Sequence, residues 1–85
     1  MRLDKYLKVS RIIKRRTVAN EACDAGRVML NGKVARASQA VKVGDTIEIA
    51  FGTRSVKAEI LDVSEVVRKE NASLMYRIIE GTEID

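Results

Sequence analysis

The 85-residue chain predicts a small α+β domain, two N-terminal helices packed on a small, mostly antiparallel sheet. Three observations carry this expectation. Apolar residues recur at helical spacing through Ala25, the pair Asn31-Gly32 marks a tight hairpin, and the segments after Gly44 alternate apolar and polar residues at the strand period.

The first helix is read from "RLDKYLKVS", where Leu3, Tyr6 and Leu7 fall at i, i+3 and i+4 while Lys5 and Lys8 lie on the other side. Asp4 favours the first turn of that helix, where the macrodipole is positive. The stretch "RIIKRR" then connects, with Ile12 and Ile13 expected to anchor it in the core. From about Thr17 the helical pattern resumes: Val18, Ala19, Ala22, Cys23 and Ala25 fill one arc, and Asn20, Glu21 and Asp24 lie outside it. Gly26 supplies the left-handed residue that ends the helix.

Asn31-Gly32 is a favoured pair for a two-residue turn, and a loop that tight sets Leu30 opposite Lys33 and Arg27 opposite Arg36. Two directly opposed arginines repel. A Gly44-Asp45 turn introduces a strand with Ile47, Ile49 and Phe51 inward and Thr46 and Glu48 outward. In "SVKAEILDV", Val56, Ala58 and Ile60 share one face. "RKENAS" reads as a turn, "LMYRII" as the last strand and "EGTEID" as a loose acidic tail.

Composition narrows the function. Hydrophobic content of 46% with 33% charged residues describes a folded chain, and no apolar run approaches the roughly 18 residues of a membrane span. No apolar stretch follows the basic N-terminus, so no secretory signal is expected. The single cysteine, Cys23, excludes an internal disulfide, fits a reducing cytoplasm and is expected in the core. With no histidine and one cysteine, the usual zinc-ligand sets and Cys/His or Ser/His nucleophile pairs are missing. Asp4, Asp45 and Asp62 each have a local structural explanation. No enzymatic activity, cofactor or metal is expected.

The charge is unevenly spread. Residues 1–36 hold ten Lys and Arg against three acids, net +7, whereas residues 37–85 hold six against nine, net −3. Such polarity marks a polyanion-binding surface. Lys14, Arg15 and Arg16 also stand at a helix start, where each cation costs a few tenths to about 1 kcal/mol. Together with the opposed Arg27 and Arg36, two local rules are broken by the same charge in the same half of the chain. Violations that agree point to a site.

Three kinds of nucleic-acid surface can be separated. Base stacking needs aromatics, and of Tyr6, Phe51 and Tyr76 the first two are expected in the core. A DNA-reading helix needs Arg, Asn or Gln along its face, whereas the second helix offers Asn20, Glu21 and Asp24. What remains is recognition of folded RNA through its backbone and shape. Lys33 and Arg36 are ordinary strand charges by themselves, raised by their nearness to the cationic helix start. Asn31 is explained by the turn and could also touch a sugar or phosphate.

Residues 2–49 resemble the S4 RNA-binding domain, or αL motif. The shared patterns are L-D-K-x-L in the first helix, R-x-x-K-x-R-T into the second, then G-x-V-x-L-N-G and S-x-x-V-x-x-G-D. Among stand-alone members the chain is most similar to the RqcP family and is related to the small ribosome-associated heat-shock S4 protein, whose long basic C-terminal extension the sequence lacks. The resemblance implies an S4-type domain over 1–80, with the motif at about 2–49, additional strands at about 55–79 and an acidic tail at 81–85. It implies a cytoplasmic, monomeric, non-enzymatic factor with no cofactor and no membrane association. Its partners would be large-subunit ribosomal RNA, peptidyl-tRNA on obstructed subunits, and an RqcH-type factor that adds C-terminal alanine tails.

By family position, the RNA face comprises Arg2 and Lys5 of the first helix, then Arg11, Lys14, Arg15, Arg16 and Thr17, and finally Asn31, Lys33, Arg36 and Ser38 around the hairpin. Arg11 and Arg16 coincide with the motif arginines. Arg15 is the weaker candidate, since it also reads as a merely solvated charge, and Ser38 reads equally as a turn residue. Two other classes use the same basic surface: a protein-interaction adaptor recruiting through its acidic β half, and a small-RNA or DNA regulator.

Overall fold

Leu3, Tyr6 and Leu7 lie fully buried along one side of α1 (Leu3–Val9) in the computed structural model, which describes residues 1–80. The helix stops at Ser10. Arg11 follows in the left-handed region (φ 61°), its N–H donating to the Lys8 carbonyl at 3.1 Å. The reversal turns Ile12 and Ile13 into the core as expected, both under 9% exposed.

The second helix, α2 (Arg16–Asp24), buries a narrower stripe than the sequence predicts. Ala19 and Cys23, one turn apart, are buried and Ala22 is half-buried, whereas Val18 and Ala25 are exposed. A short peripheral helix resting on an i, i+4 stripe leaves both flanks of its apolar arc uncovered. Its end follows expectation. Gly26 has φ 74°, its N–H donates to Cys23 O at 3.0 Å, and the Arg27 N–H donates to Ala22 O at 3.0 Å. These are the paired bonds of a Schellman cap.

Five strands follow: β1 (Val28–Leu30), β2 (Lys33–Val34), β3 (Thr46–Phe51), β4 (Arg54–Ile60) and β5 (Tyr76–Glu80). They form one sheet in the order β2-β1-β3-β4-β5 with antiparallel neighbours. Asn31 (φ 53°) and Gly32 (φ 84°) both take positive φ, the turn whose twist suits a two-residue hairpin, and Leu30 pairs with Lys33. The predicted opposition of Arg27 and Arg36 does not form. The β1–β2 ladder pairs only Met29 with Val34 and Leu30 with Lys33, and the Arg27 carbonyl accepts the Ala50 N–H at 2.9 Å. Beyond Val34 the chain turns in to bury Ala35 and Ala37.

The inner face of the sheet is Ile47 and Ile49 on β3 beside Ala58 and Val56 on β4, in direct register. One apolar cluster joins Leu3, Tyr6, Leu7, Ala19 and Cys23 of the helices to Val28, Ile47, Ile49 and Ile60 of the sheet. A 3₁₀ helix (Lys69–Met75) replaces the expected turn and the expected beginning of the last strand. Ala72 and Met75 are both buried, three residues apart, and three residues make one turn of such a helix. The last strand therefore begins at Tyr76. The Tyr6 hydroxyl donates to the Met75 carbonyl at 2.7 Å, tying α1 to this helix. The acidic segment 81–85 lies outside the described residues, and Glu80 belongs to β5. Among the described residues no helix is long and apolar enough to cross a membrane.

One crossing positions the site. The segment 37–41, leaving the hairpin, runs over the start of α1. The Leu3 N–H donates to Gln39 O at 2.8 Å, the Asp4 N–H to Ala37 O at 3.1 Å, and the Val41 N–H to Met1 O at 2.9 Å. Two N–H groups that a helix start leaves unpaired are thereby satisfied, and Arg36 and Ser38 are carried up to Arg2.

Candidate nucleic-acid interface

The candidate interface is organised around an acid. Asp4 is the sole Asp or Glu among the first 20 residues, and it is 2% exposed. Its Oδ1 accepts the Lys5 N–H at 2.8 Å and Arg2 Nε at 3.2 Å; its Oδ2 receives Arg2 Nη2, Arg16 Nε and Asn20 Nδ2, each at 3.4 Å. Burial by itself would raise the carboxyl pKa, but the hydrogen bonds from Asn20, Arg16, Arg2 and the Lys5 N–H outweigh it and leave the pKa below the ordinary carboxylate value. One carboxylate against two guanidinium groups keeps the cluster cationic. The Arg2 and Arg16 side chains remain about half exposed, at 51% and 47%.

Two adjoining depressions share Asn20. One is walled by Asp4, Arg16, Thr17, Asn20 and Glu21. The other, a groove of about 540 Å³, runs between α2 and the hairpin and is edged by Arg2, Asn20, Arg36 and Ser38. Arg2, Arg16, Thr17, Arg36 and Ser38 are thus brought onto one surface. Ser38 is also a turn residue, inside the reverse turn closed by the Gln39 N–H on Arg36 O at 3.0 Å. Arg15 precedes α2 as an extended, exposed residue and makes no side-chain cap.

Other predicted residues lie elsewhere. Arg11 and Lys14 line a separate pocket with Lys8, beneath Glu65, Val66 and Val67. The Lys5 ammonium pairs with Glu65 at 2.9 Å, so part of its charge is answered within the chain. Asn31 is occupied by the fold: its Nδ2 donates to Asp45 Oδ1 at 3.0 Å and its Oδ1 accepts the Thr46 N–H at 2.9 Å. Lys33 stands exposed on β2.

Three residues of the two surfaces escape sequence reasoning. Asp4 and Asn20 read as a helix-start acid and a solvated helix residue, yet they meet across 16 positions of sequence. Helical spacing puts Lys8 on the solvent side of α1 but gives no sign of the second cationic pocket that it lines. The available signal is the isolation of Asp4 in a stretch otherwise devoid of acids. Cys23 behaves as expected: burial pushes its thiol up to about 11, and it lines the groove as a small apolar side chain. Among the described residues no cluster of three or more His, Cys, Asp or Glu is arranged to hold a metal.

The S4 domain signature matches residues 1–47 of the chain. The chain is 56% identical over 78 residues to the RQC P-site tRNA stabilizing factor of Halalkalibacterium halodurans, covering 92% of this chain and 89% of that protein. It is 51% identical over 85 residues to the protein of the same name from Streptococcus pneumoniae, covering 100% of this chain and 97% of that one. The trimeric structure of Vibrio cholerae Heat Shock Protein 15 superimposes with a TM-score of 0.85 at 32% identity, covering 92% of this chain and 80% of that one.

Proposed function

The chain belongs to the S4 domain family, and from that membership we propose that it binds ribosomal RNA and peptidyl-tRNA on obstructed large ribosomal subunits. It steadies the P-site tRNA so that an RqcH-type factor can extend the nascent chain with alanine. It performs no chemistry itself. The role follows the name carried by its relatives, and the physical observation that supports it is the pair Arg2 and Arg16, half exposed on one surface with Arg36 alongside. Phosphates are the anion such a surface fits, because guanidinium groups donate two parallel hydrogen bonds to their oxygens.

Residues 1–80 act as one RNA-binding unit, with 81–85 outside it, and the protein works in the cytoplasm as a monomer. A face carrying this much positive charge repels a second copy of itself.

The test is co-sedimentation with large subunits that hold peptidyl-tRNA, alongside tail length on a stalled reporter in cells. Hydrogen bonds to charged groups contribute about 1.5–3 kcal/mol, so Arg2→Ala and Arg16→Ala should each weaken subunit binding by about tenfold or more and shorten the tails. Binding that survives nuclease treatment would instead identify a protein adaptor. Full-length tails in cells lacking the protein would remove the tailing role.

A further inference from the structure

The carboxylate of Asp4 is an odd neighbour for RNA. It is an acid set directly behind the two arginines of the phosphate-binding face, and its side chain is 3% exposed. An unpaired charge at that depth is strongly disfavoured. Here five contacts hold it, and they come from separate places: Arg2 and Lys5 at the start of α1, Arg16 at the start of α2, and Asn20 one turn further along. No local helix preference explains bonds that span 12 and 16 residues.

We propose that Asp4 is a positioning residue for RNA binding, a buried carboxylate that clamps Arg2 and Arg16 side by side and so presents two guanidinium groups as one preorganised phosphate receptor. Arg16 reaches Asp4 through Nε alone, which leaves both its Nη groups for a phosphate. Arg2 uses Nε and Nη2, which leaves Nη1. The shared carboxylate offsets the repulsion between the two cations. It also removes rotamer freedom that each long side chain would otherwise lose on meeting RNA. The proposal rests on the reading that Arg2 and Arg16 meet phosphates.

Electrostatics and positioning predict opposite signs. If Asp4 acted on RNA only through its charge, neutralising it would tighten binding to a polyanion. If it positions the arginines, neutralising it weakens binding although the protein becomes more positive. The experiment measures the affinity of the full chain for purified large subunits carrying peptidyl-tRNA, at one fixed salt concentration, with circular dichroism confirming the fold. Asp4→Asn should bind about tenfold more weakly, the scale of freeing two rotamer-rich side chains. Placed on top of Arg2→Ala and Arg16→Ala together, Asp4→Asn should weaken binding no further, whereas a general structural defect would carry into that background.

Arg16→Lys keeps the test decisive should Asp4→Asn fail to fold. Its ammonium lacks the planar fork that lets Arg16 hold the carboxylate through Nε and a phosphate through both Nη groups, so it should lose much of the affinity that Arg16→Ala loses despite unchanged charge. Wild-type or tighter binding by a folded Asp4→Asn, or wild-type binding by Arg16→Lys, overturns the proposal. If the Arg2→Ala and Arg16→Ala chains themselves bind normally, the underlying assignment of the RNA face fails instead.

Discussion

Arg11 and Gly26 occupy the same position after their respective helices, and only one of them is comfortable there. Both have positive φ, 61° and 74°. For a side chain with a Cβ, that conformation costs roughly 1–2 kcal/mol. Arg11 carries this strain beside Lys8 and Lys14, in a cationic pocket. Arg11→Gly should therefore raise the stability by about 0.5–1 kcal/mol, after allowing for the extra freedom glycine gives the unfolded chain, whereas Arg11→Ala keeps the strain and gains nothing. Thermal denaturation of the two variants checks the difference; equal melting temperatures would mean the backbone there is relaxed. Gly26 announces its helix end in the sequence, but nothing in "SRIIK" announces the other, because an arginine gives no sign of positive φ. Arg16 is illegible for a related reason. As a cation at a helix start it looks unfavourable, and the acid that answers it, Asp4, lies 12 residues earlier.

At the scale of elements, the parts legible in the sequence are those whose residues depend on near neighbours. Both helices, the Asn31-Gly32 hairpin and the inward alternation of β3 and β4 depend on spacing within a few residues, and all are present. The 3₁₀ helix escapes such reading because its burial period of three, Ala72 to Met75, spans barely one turn. The hairpin itself gives one candidate site residue a structural role. The sequence lets Asn31 serve both the turn and the RNA, but its amide is engaged at both ends by Asp45 and Thr46. Asn31→Gly keeps the backbone conformation and removes both bonds. It should cost about 1–2 kcal/mol in urea denaturation while changing subunit affinity less than twofold. A loss of affinity with unchanged stability would favour a direct role for Asn31 on the RNA face.

For the molecule as a whole, the asymmetry of charge is plain in the sequence, but the number of surfaces it forms is not. Six of the ten basic residues among the first 36 fall on two surfaces, the Asp4-centred face with Arg2, Arg16 and Arg36 and the pocket of Lys8, Arg11 and Lys14. Salt titration counts how many are used. If RNA engages only the first face, about three phosphates are neutralised, and the slope of log affinity against log salt should be roughly −2 to −3. If the second pocket is also engaged, the slope should steepen to roughly −4 to −5, and Lys8→Ala should reduce it by about one. A flat response would remove RNA phosphates from the account altogether.

The hydrogen bond from the Tyr6 hydroxyl to the Met75 carbonyl joins residues 69 positions apart. This contact makes the time of folding depend on the far end of the chain. During synthesis the cationic N-terminal half leaves the ribosome before the 3₁₀ helix and β5 that close its core. The Tyr6 contact can form only after Met75 has emerged. Long-range closure of this kind slows folding relative to a helical bundle of equal size, because the loop must be closed before its contacts repay the lost freedom. Closure of the core beneath the basic N-terminal half thus waits on residues 69–80, far along the chain from the surface they support.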